Sequence, residues 1–92
     1  MPGPRYRAAD AALLIVEPLD IFTAVFHRPS GITHLLNEPA PQILEALADK
    51  PLDAAALLDQ LAGQYELDVV EGIEMLQARL DELEAAGLVD RL

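Results

Sequence analysis

The alternating pattern of apolar residues in this chain ends at Asn37, where a helical period begins, and this change constrains the fold more than any other feature. The five residues before it, Ile32–Leu36, are uncharged and mostly apolar, and they follow the tight-turn sequence Pro-Ser-Gly at 29–31. An exposed sheet edge that binds no partner usually carries a lysine, a proline or a bulge, which stops other chains from pairing with its free N–H and C=O groups. This stretch has none, so we expect an edge strand that is either covered within the fold or completed by a partner strand.

Two further strands are predicted upstream, because residues 13–16 and 21–28 are rich in β-branched and aromatic side chains. The second run carries apolar side chains on both alternating faces, which is typical of a central strand. Residues 29–31 suit a three-residue hairpin loop, since proline fixes φ and glycine accepts a positive φ. The sequence therefore predicts a three-stranded antiparallel sheet within a domain of residues 13–92. The N-terminal arm, residues 1–12, is left open as a flexible segment or an extra strand.

The first two helices have recognisable starts. The first is predicted to be capped by Asn37 or Glu38, with prolines tolerated in its first turn, and to end at the Lys-Pro pair 50–51. The second has Asp53 as its N-cap, with apolar residues on either side of the cap placed to form a hydrophobic staple.

The third helix is predicted to begin at Asp68, with Glu71 completing a capping box, and to stop at Gly87 in a Schellman ending. Its apolar residues recur at helical spacing and predict one buried seam. Three strands followed by three helices make an α+β domain that is winged helix-turn-helix-like.

The composition predicts a single small cytoplasmic domain. The chain has 92 residues and no cysteine, which excludes a disulfide scaffold, a thiol nucleophile and a zinc-thiolate site. No apolar run approaches the ~18 residues of a membrane span, and the start lacks a signal-peptide core. The aromatic residues Phe22, Phe26 and Tyr65 are predicted to lie in the core because of their positions in the apolar pattern.

The net charge of −10 lies entirely in the helical part of the chain. From Glu38 onward, 13 acidic residues stand against Lys50, Arg79 and Arg91. Proteins bind nucleic acid largely by neutralising phosphates, and a DNA-reading third helix would present basic or amide side chains. The chain is therefore predicted not to bind nucleic acid.

No combination of residues predicts catalysis or a metal site. His27 and His34 lie on opposite arms of the predicted hairpin, but a zinc-type site needs three or four ligands and the chain has no third histidine or cysteine. Glu17 and Asp20 belong to a turn without an accompanying nucleophile. We expect a protein that is not an enzyme and that has no cofactor.

The chain resembles the PqqD family of small winged-helix peptide chaperones, also called RiPP recognition elements, over about residues 13–88. The more specific part is the segment HRPSGITHLL at 27–36, which looks like the Ser-Gly-x-Thr-His-Leu hairpin of a PqqD branch associated with an HPr-kinase-related protein, the HPr-rel-A system. The remaining matching positions are mostly leucine patterns: Leu36, Asn37, Ala40, Ile43, Leu44, Leu61, Tyr65, Leu80, Leu83, Gly87, Leu88 and Val89.

This resemblance implies a non-catalytic adaptor. In such proteins the third strand and the third helix bound a groove, and the leader of a precursor peptide lies there as an added antiparallel strand. The peptide is then presented to a modifying enzyme. The implied partners are a precursor or leader peptide and a peptide-modifying enzyme or HPr-kinase-related protein, without nucleic acid or membrane.

The groove wall on the third helix is predicted from its two flanks. Val70, Glu74 and Gln77 flank the apolar seam on one side, and Met75 and Arg79 flank it on the other. The first flank is favoured because Val70 beside Gln77 offers an apolar floor with a hydrogen-bonding group. Because the helix is acidic, the peptide or its enzyme is expected to be more basic than in the wider family. The predicted peptide-binding residues are Ile32, Thr33, His34, Leu35, Leu36, Val70, Ile73, Glu74 and Gln77.

An alternative from another class stays open at this point. The third strand could be occupied permanently by a second copy of the chain or by a kinase-like protein, in which case the protein is a structural or regulatory subunit. DNA binding through the winged helix is the least favoured hypothesis because of the charge.

Overall fold

The structure is a computed structural model that describes residues 3–61 and 69–92. The predicted Asp68 cap and Tyr65 lie outside the described residues. Within them, the elements in chain order are β1 (Tyr6–Ala8), a 3₁₀ turn (Ala11–Leu13), β2 (Leu14–Pro18), β3 (Thr23–His27), β4 (Ile32–Leu36), α1 (Ala40–Asp49), α2 (Ala54–Leu61), α3 (Val69–Ala85) and β5 (Val89–Arg91).

The main sheet confirms the predicted α+β fold. Its three strands are antiparallel in the order β2-β3-β4, so the predicted central strand pairs on both sides. The strand β4 has the predicted bounds. The hairpin loop is one residue longer than predicted, because His27 pairs with Ile32 and Arg28 belongs to the loop. Gly31 has a φ of 70° and donates its N–H to the carbonyl of His27 at 2.9 Å.

A second, two-stranded sheet joins β1 to β5. Part of the N-terminal arm is therefore an ordered strand. Tyr6 is fully buried there, and its backbone exchanges two hydrogen bonds with Leu52, at 2.8 and 3.0 Å. The Tyr6 hydroxyl accepts a hydrogen bond from Gln77 Nε2 at 2.8 Å, and the Arg91 guanidinium lies 5.5 Å from the ring centroid. This one residue thus ties β1 to α3 and β5 through its side chain and to the α1–α2 connection through its backbone.

The predicted N-cap is confirmed for α2 and is wrong for α1. Asp53 caps α2 as predicted, because its Oδ1 accepts the Ala56 N–H at 2.8 Å. The cap predicted for α1 is wrong: the helix begins one residue later, with Pro39 at the N-cap position and no side-chain cap. The carbonyl of Asn37, rather than its side chain, accepts the Ala40 N–H at 3.0 Å.

The end of α3 confirms the Schellman prediction. Gly87 has a φ of 79°, and its N–H donates to the Glu84 carbonyl at 3.0 Å. The N–H of Leu88 donates to the Leu83 carbonyl at 2.9 Å, and both leucine side chains are buried. This pair of bonds satisfies carbonyls that have no partner within the helix and turns the chain into β5.

The core lies between the inner face of the main sheet and the three helices, and the outer face of the sheet is largely exposed among the described residues. Phe22 retains 40% exposure, so its predicted core position is wrong. It lies in the turn before β3, where the sheet has no second layer to cover it. The half-buried Phe26 shares the outer face with Ile15, its partner on β2. Among the described residues, the aromatic side chain that is fully buried is Tyr6.

Candidate functional site

The direction of the backbone groups along β4 follows from the hydrogen-bond pattern of the sheet. At the two ends of the β2–β3 pair, Arg28 N–H donates to the Leu13 carbonyl at 2.8 Å and Leu19 N–H donates to the Phe22 carbonyl at 2.7 Å. Hydrogen-bonded pairs alternate along an antiparallel ladder, so the even-numbered residues of β3 face β2 and the odd-numbered residues face β4.

This alternation leaves the N–H and C=O groups of Thr33 and Leu35 facing away from β3. Their neighbours His34 and Leu36 are directly opposite odd-numbered β3 residues and bond to them. No strand among the described residues pairs with this outer edge of β4. Two residues therefore present a donor and an acceptor each along one free edge.

The other edge of the sheet, β2, is less open. The residues with outward-facing backbone groups there are Leu14, Val16 and Pro18, by the same alternation. Leu14 already donates its N–H to the Ala11 carbonyl, and proline has no N–H. Val16 is thus the one position on β2 with a free outward N–H, compared with two on β4.

A groove of about 230 Å³ runs beside β4 and separates it from α3. One wall comes from β4 and the start of α1, and the other from the C-terminal half of α3. The lining residues are His34, Leu35, Leu36, Asn37 and Ala40 on the first side and Arg79, Glu82, Leu83 and Ala86 on the second. The groove lies where a strand added to β4 would place alternate side chains.

The flank of α3 that lines this groove is not the one favoured from the helical wheel. Gln77 points to the opposite side, where it donates to Tyr6 and, at 3.0 Å, to Asp81 Oδ1. Val70 and Glu74 are exposed, Ile73 packs partly against the core, and none of these lines the groove. Whether any of the predicted residues contacts a peptide stays a prediction.

The groove-lining residues at the C-terminal end of α3 that are not among the predicted peptide-binding residues are Arg79, Glu82, Leu83 and Ala86. Arg79 lies on the flank that was set aside, and its Nη2 donates to Glu82 Oε1 at 2.9 Å. The helical wheel gives the order of residues around the helix but not the rotation of the helix relative to the sheet. That rotation is set by the packing of α3 against residues distant in sequence, and its buried side chains include Leu76, Leu80 and Leu83.

The charges near the groove are nearly balanced, although α3 as a whole is acidic. The Arg79–Glu82 pair contributes one charge of each sign to the groove wall. On the far side of the helix, Arg91 lies 3.6 Å from Asp81 and 3.2 Å from Glu84. A peptide in the groove would therefore meet one charge of each sign on the groove wall.

The two histidines have different surroundings. His27 Nδ1 lies 2.7 Å from Ser30 Oγ, within the hairpin that precedes β4. His34 lies on the inner face of β4 and lines the groove, and its Nε2 atom is buried without a hydrogen-bond partner. Over the described part of the chain, no three histidine, aspartate or glutamate side chains converge as metal ligands would.

A second cleft, of about 520 Å³ and mostly apolar, lies between the β2–β3 end of the sheet and α1. Its lining includes Leu14, Val16, Val25, Leu44 and Ala48. It is larger than the groove beside β4, but the strand next to it has the single free N–H described above. None of the helices described is long and apolar enough to cross a membrane.

A family model, described as coenzyme PQQ synthesis protein D (PqqD), matches residues 23–89, which include β3, β4, the three helices and the first residue of β5. The chain belongs to the PqqD family. This confirms the resemblance found in the sequence, while the assignment to the branch with an HPr-kinase-related protein stays a prediction. None of the curated proteins compared matches the PqqD-family chain.

Two solved structures share the fold of this PqqD-family protein. The first is TbiB1 in complex with the TbiA(beta) leader peptide, with a TM-score of 0.74 and 17% sequence identity over 91% of this chain and 94% of that one. The second is a lasso peptide synthetase B1 complexed with its leader peptide, with a TM-score of 0.73 and 21% identity over 92% of this chain and 96% of that one. At these identities the likeness establishes the fold.

Proposed function

We propose that the protein is a non-catalytic adaptor that binds an extended segment of a precursor peptide as an added antiparallel strand on β4 and presents it to a modifying enzyme. The observation that carries the proposal is the free edge of β4, where Thr33 and Leu35 turn their backbone groups outward beside a groove. Membership of the PqqD family supports it, as does the fold shared with two proteins that were solved with leader peptides.

The free energy of peptide binding requires contributions from both the β4 edge and the groove beside it. Thr33 and Leu35 offer four backbone hydrogen bonds, each contributing about 0.5–1.5 kcal/mol net. Ordering a disordered segment costs about 2–5 kcal/mol, so the backbone bonds do little more than offset that cost. Side chains buried in the groove must supply the remaining affinity and all of the sequence selectivity, because backbone bonds are common to every peptide. We expect the complex between the protein and its peptide to have a dissociation constant in the micromolar range.

The probe for testing this is a peptide selected from a displayed random library on the folded protein, since this requires no knowledge of the natural partner. Backbone amide shifts recorded during titration with that peptide are expected to change along β4 and along the Arg79–Ala86 side of α3. Shifts confined to the hairpin loop, or centred on β2 and the larger cleft, would contradict binding on β4.

Proline substitutions test the strand addition directly. Leu35→Pro removes an outward N–H without breaking the ladder to β3, and we expect the selected peptide to bind at least about tenfold more weakly. Val16→Pro removes the free N–H of the opposite edge and serves as the matched control, with unchanged affinity. Leu35→Ala keeps the N–H and separates the side-chain contribution. Equal affinities of the two proline variants would be incompatible with pairing at β4.

The alternative of a permanently paired subunit uses the same edge. Ile32 and Leu35 are 53% and 62% exposed, so a second copy or a kinase-like protein would cover apolar side chains by docking there. Measurement of the mass in solution separates the two functions. A monomer whose β4 edge is free supports the adaptor, and a stable homodimer with protected Thr33 and Leu35 amides supports permanent pairing.

A further inference from the structure

Two side-chain nitrogens that belong to residues lining the groove between β4 and α3 are buried without a hydrogen-bond partner. They are His34 Nε2 on the strand wall and Arg79 Nε on the helix wall. Gln42 Oε1, on α1, is the one other side-chain atom of this kind among the residues described, and it does not line the groove. Buried polar groups in folded proteins nearly always have a partner, so this coincidence requires an explanation.

The chemistry of the groove walls defines what could satisfy these atoms. The Nε of arginine can only donate a hydrogen bond, whereas the Nε2 of histidine donates or accepts according to its tautomer. The same guanidinium is held at its Nη2 by the Glu82 carboxylate, at 2.9 Å. The groove therefore combines an unused donor, a histidine nitrogen and a carboxylate.

Most side chains match only part of this set. A carboxylate would be attracted by Arg79 and repelled by Glu82, and an ammonium group would meet the opposite pair of forces. An apolar side chain would leave the Arg79 N–H without a partner. A hydroxyl is also an uncharged donor and acceptor, but it has one proton and a single atom for both roles. A primary amide separates its acceptor oxygen from an NH₂ group with two donors, and it carries no charge.

The geometry of an added strand fixes the position of that side chain. Peptide residues opposite Thr33 and Leu35 would form the hydrogen-bonded pairs and direct their side chains to the outer face of the sheet. The peptide residue between them lies opposite His34, and its side chain shares the inner face with His34 and points into the groove.

We infer that the groove selects an asparagine or glutamine at the peptide position opposite His34, with the amide oxygen accepting from Arg79 Nε and the amide NH₂ available to Glu82 and His34. This specificity rests on the proposed function and adds to it the residue type that is recognised. Arg79 retains 39% side-chain exposure, so its guanidinium can turn toward an entering peptide, and such side-chain changes are common on binding.

The test uses displayed random peptides selected in parallel on the wild-type protein, on Arg79→Met and on Arg7→Met. Methionine keeps an apolar stem at position 79 and removes the donor. Arg7, on β1, pairs with Asp90 at 3.9 Å away from the groove and gives a matched arginine-to-methionine control. His34→Phe is a second variant in case Arg79→Met alters the fold.

We expect peptides enriched on the wild type and on Arg7→Met to share an amide residue at one position, and peptides enriched on Arg79→Met to lose it. Replacing that amide by leucine in a selected peptide should weaken binding to the wild type about tenfold, the effect of leaving a buried donor unpaired, and should change binding to Arg79→Met little.

Three results would overturn the inference. Enriched peptides without an amide preference, or a preference that persists on both Arg79→Met and His34→Phe, would overturn the specificity while leaving strand addition intact. Enriched peptides that do not shift the Thr33 and Leu35 amides would overturn strand addition, and the specificity with it.

Discussion

At the scale of single residues, the contact between Tyr6 and Gln77 identifies the face of α3 that turns away from β4. The hydroxyl–amide bond between them spans 71 positions of the chain and directs Gln77 toward the β1–β5 sheet. Arg79, two residues further along α3, then faces β4.

A double-mutant cycle tests this structural role. Tyr6→Phe and Gln77→Met should each lower the free energy of unfolding by about 1 kcal/mol, because each removes the same partly buried hydrogen bond. The double variant should lose little more than either single one, as expected for residues that act as a pair. Urea denaturation measures the stabilities.

The affinity of these variants for a selected peptide shows which flank of α3 forms the groove wall. We expect it to be unchanged in Gln77→Met, since the side chain points away from the groove. A clear loss of affinity in Gln77→Met without a comparable loss in Tyr6→Phe would restore the flank of Val70, Glu74 and Gln77 as the groove wall.

Two glycines give a second prediction at this scale. Gly31 and Gly87 have φ angles of 70° and 79°, and an alanine there is strained by about 1–2 kcal/mol. A Cβ would meet nothing within 4 Å at Gly31 and the His27 ring at 3.4 Å at Gly87, which is an ordinary contact. We expect similar losses of unfolding free energy for Gly31→Ala and Gly87→Ala in thermal or urea unfolding.

Gly3→Ala is the control for this pair, because Gly3 has open space around it and no positive φ. Its stability should match that of the wild type. A loss at Gly87 far larger than at Gly31 would show that crowding against His27, rather than the backbone conformation, makes glycine necessary there.

At the scale of elements, β4 combines two kinds of backbone position in five residues. His34 and Leu36 bond to β3, and Thr33 and Leu35 face outward. The same strand thus contributes to the stability of the sheet and leaves an edge open. A loop with the same sequence would have no such alternation, and a central strand would have no free groups.

Hydrogen exchange tests this division residue by residue. In the free protein we expect the amides of Thr33 and Leu35 to exchange rapidly and those of His34 and Leu36 to be protected, because only the latter are bonded within the sheet. A bound peptide should slow the first pair. Uniform protection of all four amides in the free protein would mean that the edge is already covered.

At the scale of the whole molecule, the helices among residues 3–61 and 69–92 all lie on one face of the main sheet. Ile15, Phe22 and Leu35 remain exposed on or beside the other face, and nothing among the described residues covers them. The excess negative charge lies on the helical side and surrounds a groove whose own charges are paired. The fold therefore resembles a winged helix in architecture while lacking the basic surface of one that binds DNA.

The charge distribution leads to a prediction for the intact protein. In a gel-shift experiment at low salt, where weak phosphate contacts are strongest, we expect no retardation of double-stranded DNA. A retarded band that disappears with added salt would contradict this and would show a cationic surface that the net charge conceals.

Features that depend on neighbouring residues could be predicted from the amino-acid sequence. The bounds of β4, the central position of β3, the Asp53 cap and the Gly87 ending each follow from local patterns of side-chain and backbone chemistry. The PqqD resemblance was also visible, because the hairpin segment is short and continuous.

Features that depend on long-range packing could be seen in the three-dimensional fold alone. It placed Tyr6 in the core and left Phe22 exposed, formed the β1–β5 sheet from the two ends of the chain, and turned Arg79 rather than Gln77 toward β4. The physical reason is common to all of these. Burial and helix rotation depend on contacts between residues far apart in the chain, and local periodicity carries no information about which distant surface will meet a given face.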